Sequence, residues 1–375
     1  MTGSVAYLDH NASAPVKPAV RAAVAAALEL CGNPSSVHRH GRLARRTLQR
    51  ARAQVAALVG AKPEQVVFTS GATEANHLAL LGVGCRRRIV SAIEHDSVQS
   101  VDPQAVQVPV DADGLIDLGA LDVMLARDEG RAVVSVMLAN NETGVIQPVA
   151  EAARIAHRHD ALLHCDAAQA PGRIALDMAS LGADLLTLSA HKIGGPQGVG
   201  ALVLGPAVEV AALQRGGGQE LGRRAGTENL PGIAGFGVAA ELAPEDLASP
   251  VAARRDELER RAKQALPTVA VFGDAAPRLG NTSCLAMPGV GAETQVIALD
   301  LAGVAISAGA ACSSGKVKTS RVLLAMGVDP ALAACAVRVS LGPATEAWEI
   351  ERFLAAWLAL SGRAAGEQPT RVRAQ

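Results

Sequence analysis

A chain of 375 residues, 49% of them hydrophobic, is long enough for about two domains and a large core. The formal net charge of -1 argues against a general nucleic-acid or membrane-surface role. No run reaches the roughly 18 uninterrupted apolar residues of a membrane span, and residues 1–10 have neither a basic start nor an apolar h-region, so a cytoplasmic protein without a secretory signal is expected.

Aromatic residues make up only 2%, so the core must rely on Leu, Val, Ile and Ala. Apolar runs predict strands over 66–68, 88–92, 132–138, 161–164, 184–188 and 201–204, with helices over 73–82 and 151–158 between them. Such alternation over about 200 residues implies a mostly parallel sheet covered by helices. The basic run 38–52 holds Arg39, Arg42, Arg45, Arg46, Arg50 and Arg52. Leu43, Leu48, Val55 and Leu58 form a plausible inner stripe, and no aromatic is interleaved for base stacking. The run therefore reads as the solvated face of a helix. His157 and His159, two positions apart, point to different faces and read as surface residues, not metal ligands.

The pattern changes after Leu242, where Ala243-Pro244-Glu245-Asp246 and Ala248-Ser249-Pro250 mark a boundary. A charged helix over 252–265, strands over 269–272, 282–286 and 304–307, and a last helix over 346–361 predict a smaller α+β domain. The polar tail 362–375 reads as frayed.

Several polar groups stand just past predicted strands. Thr69-Ser70-Gly71-Ala72-Thr73-Glu74-Ala75-Asn76 follows the first; its small residues and a helix start suit an anion, though an ordinary capped helix reads the same way. Asp166, in His164-Cys165-Asp166-Ala167-Ala168-Gln169, ends another strand, where open α/β sheets bind ligands. A carboxylate buried there needs a cationic partner, a pyridinium nitrogen or a structural arginine. Lys192, in Ser189-Ala190-His191-Lys192, sits one unit later, either as a Schiff-base nucleophile or as a surface lysine opening a loop. His95 could stack on a pyridine ring, and Asn141 could bond a cofactor's edge; each is also readable as a satisfied structural polar group.

Six cysteines are scattered along the chain with no C-x-x-C pair. That spacing suits a reducing compartment and argues against a disulfide framework, a zinc site or a self-contained iron–sulfur site. Cys312 stands apart in the small, flexible run Ala308-Gly309-Ala310-Ala311-Cys312-Ser313-Ser314-Gly315, which reads as an exposed loop. The other five lie in or beside apolar or helical segments and read as structural. A poised thiol and a poised lysine in one chain suggest Schiff-base chemistry coupled to sulfur chemistry.

Taken together, these segments resemble the cysteine desulfurases of the NifS/IscS type, within the class V pyridoxal-phosphate aminotransferases. The match runs in order from Tyr7-Leu8-Asp9-His10-Asn11-Ala12 and Gly32-Asn33-Pro34-Ser35-Ser36 through the motifs above. It continues through Gly216-Gly217-Gly218-Gln219-Glu220 and Arg224-Ala225-Gly226-Thr227-Glu228-Asn229 to Arg338-Val339-Ser340-Leu341-Gly342. It departs at Gly194, where the family often has Tyr, and at Glu220-Leu221-Gly222-Arg223.

The resemblance implies an α/β fold of fold type I: a mostly parallel sheet of the seven-stranded type, with a smaller α+β domain. The large domain would span 13–245, and 1–12 with 246–375 would form the small one. Lys192 would hold pyridoxal 5′-phosphate as a Schiff base, Asp166 would pair with the ring nitrogen, and Gln169 would reach the phenolic oxygen. His95 would stack on the ring, and Ala72, Thr73, Ser189 and His191 would line the phosphate cup. Thr227 would reach the phosphate of a neighbouring subunit, implying a homodimer. Asn141 would engage the cofactor, and Arg338 and Asn33 the substrate, L-cysteine. Cys312 would carry the persulfide, with His95 a candidate to accept its proton. The partner would be a sulfur acceptor or iron–sulfur scaffold protein, and the persulfide could meet a transient cluster, with no metal site intrinsic to the chain. Other readings are a different class V enzyme (a selenocysteine lyase or an aminotransferase) and a non-catalytic sulfur-transfer scaffold.

Overall fold

The computed structural model describes residues 5–127, 130–309 and 319–366; Cys312 lies outside the described residues. The chain divides into two compact units. The larger holds Ser13–Asn141 and Val145–Ala248, and the smaller holds Met1–Ala12, Glu142–Gly144 and Ser249–Gln375.

A seven-stranded sheet forms the middle of the larger unit. Its strands are β1 (Val66–Thr69), β2 (Arg87–Ser91), β3 (Val106–Val108), β4 (Ala132–Ser135), β5 (Leu162–Asp166), β6 (Leu185–Ser189) and β7 (Gly200–Leu204), in the spatial order β1-β7-β6-β5-β4-β2-β3. The run from β6 through β5, β4 and β2 to β3 is parallel, and β7 is antiparallel to both its neighbours. β1 and β6 therefore point the same way. The carboxyl ends of β1, β2, β4, β5 and β6 all meet one edge of the sheet, with the start of β7 among them. Every residue of β1, β4, β5, β6 and β7 is buried. That explains why these strands read as continuous apolar runs rather than alternating ones.

The strand predicted over 132–138 ends its regular pairing at Ser135, yet the Val136 and Leu138 N–H groups still donate to the His164 and Asp166 carbonyls at 3.0 and 2.9 Å. β3 escaped the sequence reading. It is three residues long, mostly exposed and at the sheet's edge, so it carries no apolar run.

Helices α1 (Pro18–Leu28), α2 (Arg39–Leu58) and α3 (Ala72–Gly82) precede a buried helix, α4 (Leu230–Leu242). α4 is apolar on every side and packs against α1 and α2, as a fully enclosed helix must. A Cβ at Gly237 would lie 2.7 Å from Ala51 Cα, so the missing side chain lets α2 and α4 approach. Ala44, Leu48, Ala51 and Val55 of α2 are buried, whereas Leu43 and Leu58 are only partly so. Arg52 corrects the solvated-face expectation. It is 8% exposed and pairs Glu220 through two bonds of 2.7 Å, while its guanidinium lies 4.8 Å from the Phe68 ring centroid. A buried cation has to be paired, and here the partner is 168 residues away in sequence.

The smaller unit contains an antiparallel sheet. Thr282–Ala286 pairs with Ala336–Ser340 and Ala270–Val271, and Ser307–Ala308 extends the far side of Ala336–Ser340. Ala6–Tyr7 pairs in parallel with Val304–Ala305. The helices Val251–Ala265, Ala292–Leu301 and Ala347–Gly366 belong to the same unit. Phe353 and Trp357 stack at 5.7 Å in its core, and the Trp357 indole N–H donates to Gln295 Oε1 at 2.7 Å. The last helix passes the Ser361 end expected for it. Among the described residues, no helix is long and apolar enough to cross a membrane.

Candidate active site

The common edge of the large sheet collects most of the predicted groups. Asp166 ends β5, Ser189 ends β6, and Lys192 closes a single 3-10 turn, Ala190–Lys192, directly after it. Ala72 and Thr73 open α3 just past β1, and His95 and Asn141 follow β2 and β4. Gly200 begins β7 between Thr69 and Ser189. A Cβ there would lie 2.7 Å from the Gly71 carbonyl carbon and 2.8 Å from the Leu188 oxygen, so only glycine lets the three chains close up.

Asp166 is 6% exposed. Its Oδ2 accepts from Asn76 Nδ2 at 2.8 Å and its Oδ1 from the Ala168 N–H at 3.0 Å. A carboxylate offers about four acceptor positions, so two donors hold it in place and leave room for a cationic donor. Asn76 closes the Thr69–Asn76 stretch, for which the sequence suggested no role of its own; it sits on α3, fully buried. The same Nδ2 also donates to Ser97 Oγ at 2.9 Å.

His95 is exposed and caps the short helix Asp96–Gln99. Its Nδ1 accepts from the Ser97 N–H at 3.1 Å and lies 2.8 Å from Ser97 Oγ. A neutral imidazole so engaged carries its proton on Nε2. The ring is thereby oriented as a donor, and accepting the Cys312 proton at Nδ1 would first break the Ser97 bond.

Ser189 Oγ and His191 Nδ1 are buried and have no hydrogen-bond partner. Burial, reinforced by the Lys192 charge, pushes His191 down to about 4, so its ring is neutral at neutral pH. Two orphaned polar atoms beside a helix N-terminus and a lysine fit an anionic group. The nearby Asp166 carboxylate fits a ring nitrogen that carries a proton. The residues present thus fit pyridoxal phosphate at both its ends. Gln169 is 6% exposed, with Oε1 accepting from Arg173 Nη1, a partner the sequence did not reveal. Thr227 is exposed and lines a small cleft with Ser70, Gly198, Arg224 and Asn229. Asn33 is exposed and Oδ1 accepts from the Ser35 N–H at 2.8 Å; this local turn is the structural use of that side chain.

In the smaller unit Arg338 is 2% exposed and its Nη2 donates to Asp9 Oδ1 at 2.7 Å. Burial drives the Cys165 thiol far above its ordinary range and raises those of Cys284 and Cys85, which leaves all three inert. Cys31 corrects the expectation of a structural cysteine, since it is exposed.

A polar chain beneath the edge was also missed: Glu94, Ser135, His164 and Thr187, all buried. The available signal was the presence of His and Thr inside otherwise apolar strand runs.

The model of the family described as aminotransferase class-V matches residues 6–353. The chain is 43% identical over 363 residues to a cysteine desulfurase of Cereibacter sphaeroides, covering 93% of each. It is 38% identical to a human cysteine desulfurase, over 92% of this chain and 79% of that one. A NifS-like protein from Rickettsia africae superposes with a TM-score of 0.89 at 33% identity, covering 96% of this chain and 99% of the other. SspA in complex with cysteine superposes with a TM-score of 0.78 at 30% identity, over 90% and 99% of the two chains. With both a family model and full-length relatives in agreement, the chain belongs to the class-V aminotransferase family.

Proposed function

We infer that this chain is a pyridoxal-phosphate-dependent cysteine desulfurase, which converts L-cysteine and a sulfur acceptor into L-alanine and acceptor-bound sulfur. The observation that carries the reading is the convergence at one sheet edge of Lys192, the held carboxylate of Asp166 and the orphaned Ser189 and His191 atoms. The relatives named cysteine desulfurase supply the choice of substrate.

Lys192 anchors the cofactor, Asp166 takes its ring nitrogen, and Ser189, His191, Ala72 and Thr73 receive its phosphate. When bound, pyridoxal phosphate supplies an electron sink conjugated to the substrate's Cα. Lys192 would then take the Cα proton on Nζ and give it back to Cα only after the C–S bond has broken, as the carbon skeleton becomes alanine. Gln169, steered by Arg173, meets the phenolic oxygen, and Asn141 the cofactor's edge. His95, oriented by Ser97, covers the ring. Arg338 forks the substrate carboxylate, and its bond to Asp9 fixes the fork's direction. Asn33 contributes at the substrate side. The Cys312 thiolate attacks the substrate sulfur, so the C–S bond breaks, a Cys312 persulfide forms and the carbon skeleton leaves as alanine. An acceptor thiol or scaffold protein takes the outer sulfur. The protein works as a homodimer in the cytoplasm, with Thr227 of the partner subunit completing each phosphate site.

The test compares wild type with Cys312→Ser. Serine keeps the size but removes the strong nucleophile. Cofactor binding and the absorbance change on adding L-cysteine should persist, while persulfide formation and alanine release stop. Near-normal alanine release in the variant would overturn the desulfurase reading and leave a lyase or an aminotransferase.

A further inference from the structure

Glu94 is 1% exposed and stands directly before His95. Its Oε1 accepts from the Met137 N–H at 2.5 Å, and its Oε2 lies 3.2 Å from Ser135 Oγ. Ser135 Oγ lies 2.8 Å from His164 Nδ1, and His164 Nε2 lies 3.0 Å from Thr187 Oγ1. The three side chains come from adjacent strands β4, β5 and β6 and are completely buried. His164 is two residues before Asp166 on β5, so both project from the same face.

Two wirings satisfy this chain. If Glu94 is ionised, Ser135 donates to Oε2, His164 donates from Nδ1 to Ser135, and Nε2 accepts from Thr187. If Glu94 is protonated, every bond reverses: Glu94 donates to Ser135, Ser135 to Nδ1, and Nε2–H to Thr187. The tautomer of His164 therefore reports the Glu94 proton.

Asp166 selects between the wirings. Two carboxylates in one low-dielectric site do not both ionise readily, and Asp166 has the donors Asn76 and Ala168 aimed at it. We propose that Glu94 is a neutral carboxylic acid at the head of this chain, a positioning residue that keeps Asp166 as the carboxylate charge available to the cofactor's ring nitrogen and fixes His164 as its Nε2–H tautomer. Burial and the Asp166 charge raise Glu94 to about 8, and burial lowers His164 to about 4, so the ring is neutral and its tautomer well defined. Among the described residues, Asp166 and Cys165 of β5 interact electrostatically with Glu94, His164 is linked to it through Ser135, and His95 and Asp96 follow it in its own segment. Lys192 stands past the end of β6 at the same edge. The inference rests on the cofactor reading only for its consequence.

The experiment follows 15N-labelled histidine in the holoenzyme through a pH titration bracketing about 8. His164 is identified as the fully buried, slowly exchanging ring. The Nε2–H form should hold at neutral pH and give way to Nδ1–H above the midpoint, the ratio changing about tenfold per pH unit. Glu94→Gln should hold Nε2–H throughout, because its carbonyl still accepts from Met137 and its amide donates to Ser135. Nδ1–H in the wild type at neutral pH overturns the proposal, and this needs no variant. A titrating tautomer in a folded Glu94→Gln protein overturns it as well. A protein that carries no cofactor yet shows Nε2–H would sink the functional reading and leave this one standing.

Discussion

Replacing Asp166 by Asn separates the fold from the cofactor. Asn offers one acceptor and one donor pair in place of two acceptors, so Asn76 and Ala168 cannot both keep their bonds as they stand. Asn76 has a remedy: its Oδ1 is buried without a partner, and rotating the amide turns that oxygen toward the new NH2. The rearrangement costs one bond to Ser97, so stability should fall by only about 1 kcal/mol. The cofactor has no such remedy. A charge-assisted bond to its ring nitrogen is worth about 1.5–3 kcal/mol, which weakens pyridoxal-phosphate binding by roughly 10- to 150-fold. Turnover should fall at least as far, because the ring nitrogen loses the charge that keeps it protonated. The assay pairs cofactor release, followed by absorbance during dialysis, with a urea melt. Unchanged affinity and turnover would refute the role given to Asp166. A melt collapsed by several kcal/mol would refute the Asn76 rotation.

Three further outcomes follow from the structure. Arg52→Met leaves Glu220 charged in a site where its side chain is 1% exposed; it should cost about 3–5 kcal/mol, and a loss below about 1 kcal/mol in chemical denaturation would show that the pair behaves as a surface one. Gly200→Ala forces the backbone of Gly71 and Leu188 apart and should cost about 1–3 kcal/mol while weakening cofactor binding, since the displaced turn opens α3; wild-type affinity and melting would contradict the close approach. Glu94, raised from 4.5 to about 8, keeps a proton in the folded state that the unfolded chain has released, so stability falls as pH rises through that window. His164 and His191, lowered from 6.5 to about 4, act with the opposite sign below 6.5. The Glu94 effect is therefore read above 6.5, where it amounts to about 2 kcal/mol by pH 8, and urea melts should show it flattened in Glu94→Gln.

The sequence by itself determined the α/β class, the strands that carry the edge, and the polar residues just past them. Asp166 and Lys192 were legible because a charged residue closing an apolar run is a local signal, and a parallel sheet places every such strand end on one side. The change of pattern after Leu242 is a local signal of the same kind. Tertiary structure alone decided who meets whom. Arg52 looked solvated within its own helix and is buried because Glu220 arrives from a distant turn. Asn33 lies in a motif read from the sequence, while the bond from the Ser35 N–H to its Oδ1 is a detail of the folded turn. The polar residues Ser135, His164 and Thr187 are isolated in three separate strands and become one chain only through the pairing of β4, β5 and β6. Periodicity and propensity act over a few neighbouring residues, whereas the burial of Arg52 and the joining of Ser135, His164 and Thr187 depend on partners supplied by packing.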